Sequence, residues 1–266
     1  MSETILVNVD KTTHVATLTL NRPDKLNAFD VELVDAWADA LERLAVDRDA
    51  HVIVVTGAGR AFCAGGDLST LGLDSGPLSK KEFLRDHVHR VQRALSRIEQ
   101  PTIAMINGPA MGAGFDMALL CDLRIAANEA KIGEAYVKLG LVAGDGGAWL
   151  LDRLVGPARA MELLLTGKTI DGAQAAEWGL VNQAVPLDEL ETTTFALAEQ
   201  LAAGPQLAQR LIKRAVRSAP ALPQNVHYDM VSSYMALAQS HEDFEGAVAA
   251  AKAGEPPAFN TGDPRP

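Results

Sequence analysis

The chain of 266 residues carries a net charge of −10, with 48% hydrophobic and 22% charged residues. That composition excludes intrinsic disorder and supports a sizeable core, and the length fits one large domain or one domain with a smaller appendage. Its 24 Lys and Arg are scattered rather than gathered into a stripe, so nucleic acid is not an expected partner.

The polar start, Met1-Ser2-Glu3-Thr4, lacks a signal-peptide pattern. No apolar stretch approaches the ~20 residues that span a bilayer. A cytoplasmic protein without a membrane partner is expected. Ile5 to Asn8 and Val15 to Leu20 predict a hairpin, followed by a turn at Asn21-Arg22-Pro23-Asp24. Asp30 caps a predicted helix through Leu44, with Leu33, Val34, Trp37, Ala40, Leu41 and Leu44 at the helical period. Val52 to Val55 predicts a buried strand, Ser79 to Ile98 a helix, and Thr102 to Ile106 another strand. Met111 to Leu120 predicts a short apolar helix and Leu123 to Ala126 a strand. This alternation to about residue 185 predicts an α/β core with parallel pairing. Beyond Pro186 only helices are expected: Leu187 to Ala203, Pro205 to Ser218, Pro223 to Gln239 and Glu242 to Ala253, then a loose Pro-rich tail ending at Pro264 and Pro266.

Two glycine-bearing turns follow strands and open toward helices. They are Phe62-Cys63-Ala64-Gly65-Gly66-Asp67-Leu68 and Asn107-Gly108-Pro109-Ala110-Met111-Gly112-Ala113-Gly114-Phe115-Asp116. Turns of this kind can aim two backbone N–H groups at one carbonyl oxygen that becomes an anion. Asp116 stands three residues beyond Ala113, on the same face of a helix that begins there. An acid in so apolar a helix is either an N-terminal cap or a functional group. Asp145, between glycines, is either a turn residue or an acid that a ligand can approach closely.

Other chemistries find little support. Gly57-Ala58-Gly59 follows a strand, but Phe62 stands where a dinucleotide fingerprint needs glycine. The six His show no tight ligand pair, so no metal site is expected. Cys63 and Cys121 are expected as buried reduced thiols, and no His near Cys63 in sequence marks it as a nucleophile. Arg85, His87, His89, Arg90 and Arg93 form a local basic cluster, either a solvated helix face or a landing site for an anion.

Several segments together resemble the crotonase (enoyl-CoA hydratase/isomerase) superfamily. They are Asn21 to Phe29, Gly57 to Leu68, Pro101 to Ala104, Gly112 to Asp116, Cys121 to Ala126, Leu164 to Gly167, Ala176 to Val181, and the late Glu245-Gly246-Ala247 with Pro257-Ala258-Phe259. The resemblance runs from about residue 5 to 260. It implies a spiral of repeated ββα units over residues 1–200 and a helical trimerisation region with a loose tail over 201–266. It also implies a homotrimer or dimer of trimers, and an acyl-CoA thioester as substrate. Coenzyme A is then part of the substrate and no further cofactor is implied. By motif position, the N–H groups of Gly66 and Ala113 would form the oxyanion hole. Lys25, Leu26, Ala28, Ala64, Gly65, Asp67, Leu68, Gly112, Tyr136 and Leu141 would bind substrate.

The acids depart from the family pattern. A typical enoyl-CoA hydratase holds one water between two glutamates. The first falls at Asp116, one methylene shorter, and the second at Tyr136, where the acid is lost. Glu134 or Asp145 would replace it. The resemblance therefore implies an enoyl-CoA hydratase with Asp116 as principal acid/base. An enoyl- or dienoyl-CoA double-bond isomerase using Asp116 and Asp145 is the alternative. Thioester hydrolysis or dehalogenation through Asp145, and a non-catalytic acyl-CoA binder, are further alternatives. Phe83, Leu84, Met111, Phe115, Tyr136 and Trp149 are either pocket lining or core.

Overall fold

The computed structural model describes residues 4–70 and 76–260, so the readings of Met1 to Glu3 and of the last prolines lie outside the described residues. The chain runs β1 (Ile5–Asp10), β2 (Val15–Leu20), α1 (Val31–Leu44), β3 (Val52–Gly57), α2 (Pro77–Phe83), α3 (His89–Arg97), β4 (Thr102–Ile106), β5 (Ala110–Met111), α4 (Ala113–Leu120) and β6 (Leu123–Ala127). It continues through β7 (Ile132–Gly133), α5 (Gly147–Thr166), β8 (Thr169–Ile170), α6 (Gly172–Glu177) and β9 (Gln183–Val185). The helices α7 (Leu187–Ala202), α8 (Gln206–Ser218), α9 (Gln224–Gln239) and α10 (Glu242–Ala253) complete it.

The strands form two sheets, β1-β2-β3-β4-β6-β9 and β5-β7-β8. In the larger sheet only the β1–β2 hairpin is antiparallel; every later pair is parallel. The chain leaves the large sheet at β4, crosses to the small one at β5, and turns into α4 before returning at β6. It then leaves again for β7. This alternation between sheets is the spiral. β3 is buried along its whole length, as a strand covered on both faces must be. One face of α1 supplies Leu33, Val34, Trp37, Ala40, Leu41 and Leu44 to the core, and its capping Asp30 accepts the Leu33 N–H as expected.

Two helices differ from their expected form, and a third, α5, carries a kink. The helix expected from Ser79 starts at Pro77 and is broken by a π-helical turn over Leu84–Val88. The extra residue in that turn rotates the following face. His87 Nδ1 then lies 2.9 Å from Asp35, and His89 Nε2 donates to the Gly144 carbonyl at 2.9 Å. The short apolar helix starts at Ala113 rather than Met111, because Met111 ends β5 with its N–H on Cys63 O and Gly112 turns at φ 50° with its N–H on Gly133 O. α5 is kinked where Gly156 takes φ 75° and Pro157 offers no N–H.

Two of the C-terminal helices pack on their own core. α7 buries Leu190, Thr194, Ala198 and Ala202. α8 is pinned through Asp122, which pairs with Lys213 at 2.6 Å and Arg217 at 2.8 Å and accepts the Thr102 N–H. By contrast none of the α9 side chains is buried.

Candidate active site

The two glycine turns are stitched together. Met111 N–H donates to Cys63 O at 3.0 Å, and Cys63 N–H donates to Pro109 O at 3.1 Å. The contact is close enough that only glycine fits: a Cβ on Gly114 would lie 2.3 Å from Cys63 O. A Cβ on Gly65, which holds φ +93°, would lie 2.9 Å from Met111 O and 3.7 Å from Ala113 N. Within the first turn Ala64 N–H donates to Leu26 O, Gly65 N–H to Cys63 Sγ, and Asp67 N–H to Phe29 O. Among the described residues the Gly66 N–H has no such partner. Ala113 is the first residue of α4, where an N–H has no intrahelical acceptor. Two unpaired N–H groups thus lie on adjoining turns.

Asp116 sits in the first turn of α4, fully buried, and makes no capping bond. Instead its Oδ2 accepts the Tyr136 hydroxyl at 2.7 Å. The same phenol oxygen lies 2.8 Å from Asp145 Oδ2. Asp145 is likewise buried and does not cap α5, whose cap is Gly146. The capping and turn readings of these acids therefore give way to a shared cluster. Glu134, also fully buried, completes it: with a proton on Glu134 its carboxyl donates to Asp116, a bond that lowers Asp116 and raises Glu134. Gly147 makes room, since a Cβ there would lie 2.2 Å from Asp116 Oδ1 and 3.0 Å from Glu134 Oε1. The residues Glu134 to Leu139 are not extended; Ala135–Leu139 form a 3-10 turn, yet Glu134 and Tyr136 still reach one site.

Burial sets the protonation of these acids. It raises Asp116 to about 6, against the lowering hydrogen bond from Tyr136. It pushes Glu134 to about 10, with the Asp116 charge adding to the shift. Burial also raises Asp145, partly offset by Tyr136 and by His89, and raises the phenol of Tyr136. Near neutral pH Asp116 can be ionised while Glu134 keeps its proton.

A cavity of about 460 Å³ opens against Glu134 and Tyr136 and is lined by Val137, Leu141, Val142, Met161 and Leu164. The other expected substrate residues gather on the first turn. Lys25, Leu26 and Ala28 occupy the loop before α1, and Ala64 is bound to it through Leu26. Leu68 is exposed, whereas the Asp67 carboxylate is occupied by Ser69 and Arg22. Of the six aromatic or apolar candidates, Phe115 is core, Trp149 is exposed, and only Tyr136 lines the cavity.

The basic cluster is largely paired: Arg85 with Asp86, His87 with Asp35, Arg90 with Asp39 and Glu42. His89 is its one member that reaches the acids, 3.7 Å from Asp145 Oδ1. The Gln92 amide donates to the Asp145 carbonyl. The sequence offers His89 only within the basic cluster, as a solvated face or an anion's landing site, and does not single out Gln92, because the π turn that aims them carries no pattern of its own. Cys63 is fully buried with its thiol donating to Asn27 O, and burial pushes it up to about 12, so it is an inert thiol. Among the described residues no group of three or more His, Cys, Asp or Glu could hold a metal ion, and no helix is long and apolar enough to cross a membrane.

Three clustered buried acids, of which Glu134 lines an apolar cavity and Asp116 follows the unpaired Ala113 N–H on α4, define an acid–base enzyme of the α/β class. Comparison with known proteins gives the family. The model for the enoyl-CoA hydratase/isomerase family matches residues 10–257. The 1,2-epoxyphenylacetyl-CoA isomerase of Escherichia coli K12 is 40% identical over 97% of this chain and 99% of its own. A Mycobacterium tuberculosis protein named "Probable enoyl-CoA hydratase echA8" is 36% identical over 93% of this chain and 94% of its own. A solved enoyl-CoA hydratase subunit I structure from Geobacillus kaustophilus superposes with a TM-score of 0.91 at 35% identity, covering 98% of this chain and 100% of that one. The chain belongs to the enoyl-CoA hydratase/isomerase family, the crotonase superfamily, and is an acyl-CoA-processing enzyme.

Proposed function

We propose that this enzyme adds water to an α,β-unsaturated acyl-CoA through an enolate, with Asp116 as base and Asp145 as acid. The observation that carries this is the single phenol within 2.8 Å of two buried carboxyls. A phenol has one proton to give, so the second short contact needs a proton on one carboxyl. One acid is then ionised and the other protonated, which is what water addition requires. The contact is symmetric, and the choice of Asp116 as base rests on its place on α4 next to the Ala113 N–H.

The thioester oxygen is held by the N–H groups of Gly66 and Ala113, with the positive end of α4 behind it. Ionised Asp116 takes a proton from water. The hydroxide oxygen bonds to Cβ, and the π electron pair moves through Cα onto the thioester oxygen. Protonated Asp145 then returns a proton to Cα. Glu134, held protonated by burial and by the Asp116 charge, stays neutral beside Asp116. The acyl chain enters the aliphatic cavity past Tyr136 and Leu141. The coenzyme A portion lies along Lys25, Leu26, Ala28, Ala64, Gly65, Asp67, Leu68 and Gly112.

A second reading, double-bond isomerisation, is favoured by the place of the Tyr136 hydroxyl. It stands between two acids, as a shared water would, so a proton could move from one carbon to another with no water consumed. Mass spectrometry of crotonyl-CoA, longer or aromatic enoyl-CoAs and dienoyl-CoAs in ~50% heavy-oxygen water separates the two. A labelled gain of one water supports hydration; loss of substrate at unchanged mass moves the assignment to isomerisation. Turnover that survives Asp116→Asn would overturn both.

The same reading includes a cytoplasmic homotrimer or dimer of trimers built on residues 201–266. Its support is the apolar surface left open on the late helices, where Ile212, Val216, Tyr228, Met235 and Leu237 are each more than half exposed.

A further inference from the structure

We propose that Tyr136 is a proton relay that resets Asp116 and Asp145 after each turnover. The inference rests on the roles given above to those two acids, and it holds for hydration and isomerisation alike. In either reaction the base ends the chemical step protonated and the acid ends it ionised. Both must be restored before the next substrate reacts, and both are buried, at 0% and 4% exposure. Neither faces bulk solvent, so their protons exchange either through the reactant water or along a path inside the protein.

The phenol supplies the missing connection. Its oxygen lies 2.7 Å from Asp116 Oδ2 and 2.8 Å from Asp145 Oδ2, so it can accept from one and donate to the other at the same time. In the reset, the Asp116 carboxyl O–H bond breaks and its proton goes to the Tyr136 oxygen. The Tyr136 O–H bond breaks in the same event and its proton goes to Asp145 Oδ2. Asp116 is left as carboxylate, Asp145 as acid, and the phenol is unchanged. The trio carries one negative charge before and after, so no charge is created in a low-dielectric site. The phenol never becomes a free phenolate, which its burial among acids would make very costly.

The geometry around the trio keeps the two protons on this path. Asp145 is fixed from outside by the Gln92 amide on its carbonyl and by His89, whose Nε2 is bonded to Gly144 O. Gly147 lets Asp116 Oδ1 and Glu134 sit against the start of α5. Glu134, the nearest rival acceptor, already holds its own proton.

Pre-steady-state kinetics of Tyr136→Phe test the relay. The variant loses one hydroxyl and no carbon. Its first turnover per site, at whatever rate the loss of the bond to Asp116 leaves it, should outrun every later one. It should then settle to a steady rate ~10–100-fold lower, because each further turnover awaits proton exchange with solvent. Stopped-flow absorbance of the enoyl thioester reads both phases. Tyr136→Gln, whose amide can bond both carboxyls but cannot hand on a proton, should show the same burst and guards against a packing defect in the Phe variant. A parent-like steady rate in Tyr136→Phe would overturn the relay, and so would equal slowing of burst and steady state, which marks a structural role. Neither result would touch the assignment of Asp116, which is judged by Asp116→Asn.

Discussion

Replacing Glu134 with Gln should make the protein more stable at neutral and alkaline pH, although the side chain is fully buried. In the unfolded chain Glu134 ionises near its usual 4.5, whereas in the fold burial and the Asp116 charge hold it protonated to about 10. Between those values the folded state binds one more proton than the unfolded state, so stability falls as pH rises. The slope is about 1.4 kcal/mol per pH unit, and from pH 4.5 to 7 the parent gives up on the order of 3 kcal/mol. Gln keeps the shape, is neutral in both states, and removes that loss. Urea unfolding at fixed protein concentration should show parent and variant alike at pH 4. Their difference should widen steadily through pH 8. Turnover should stay within several-fold of the parent, since the residue is neutral throughout the cycle. A variant less stable than the parent at pH 8 would refute the protonation state. A variant that folds but has lost turnover would show that Glu134, and not Asp145, is the working acid.

Asp116→Asn should lower kcat by ~10²–10⁴ with little change in KM, measured by thioester absorbance, because a base is lost and the shape is kept. Gly147→Ala should lower both kcat and melting temperature, since its methyl would meet Asp116 Oδ1 at 2.2 Å and the start of α5 must shift. Asp122→Ala should destabilise by about 3 kcal/mol in denaturant titration, because it leaves Lys213 buried without its carboxylate. Thiol-modifying reagents should leave turnover of the native enzyme unchanged, as Cys63 and Cys121 are both buried and pushed up to about 12.

The long elements were legible because each carries its own period. The face of α1, the all-apolar β3 and the capping Asp30 could each be read from consecutive residues. β5, β7 and β8 have two residues apiece, too few to alternate, and their pairing is decided by tertiary contact. The π turn at Leu84–Val88 is equally silent in sequence, and with it went the approach of His89 to Asp145. At the site, Asp116, Glu134 and Asp145 were all visible as acids in costly settings. Their grouping was legible only from the glycine turns they flank and from the family resemblance, because Glu134 and Asp145 converge through a 3-10 turn and a glycine loop rather than along one regular face.

The two departures from the family's paired glutamates make sense together. An aspartate at position 116 reaches less far than a glutamate, and alone it would leave a gap toward the opposite wall. A tyrosine at position 136 reaches further than a glutamate and ends in a hydroxyl that meets Asp116 at 2.7 Å. The sum of the two reaches is kept, but the junction changes from carboxylates around a mobile water to a carboxylate on a fixed phenol. A phenol does not work as a second acid at neutral pH, and its burial raises it further. The lost acid must then be supplied from beyond it, and Asp145 lies on that far side at 2.8 Å. Asp116, Tyr136 and Asp145 are therefore one linked substitution, and restoring Glu at position 136 alone should lower activity, because it would set a fourth carboxyl among three that already compete for protons.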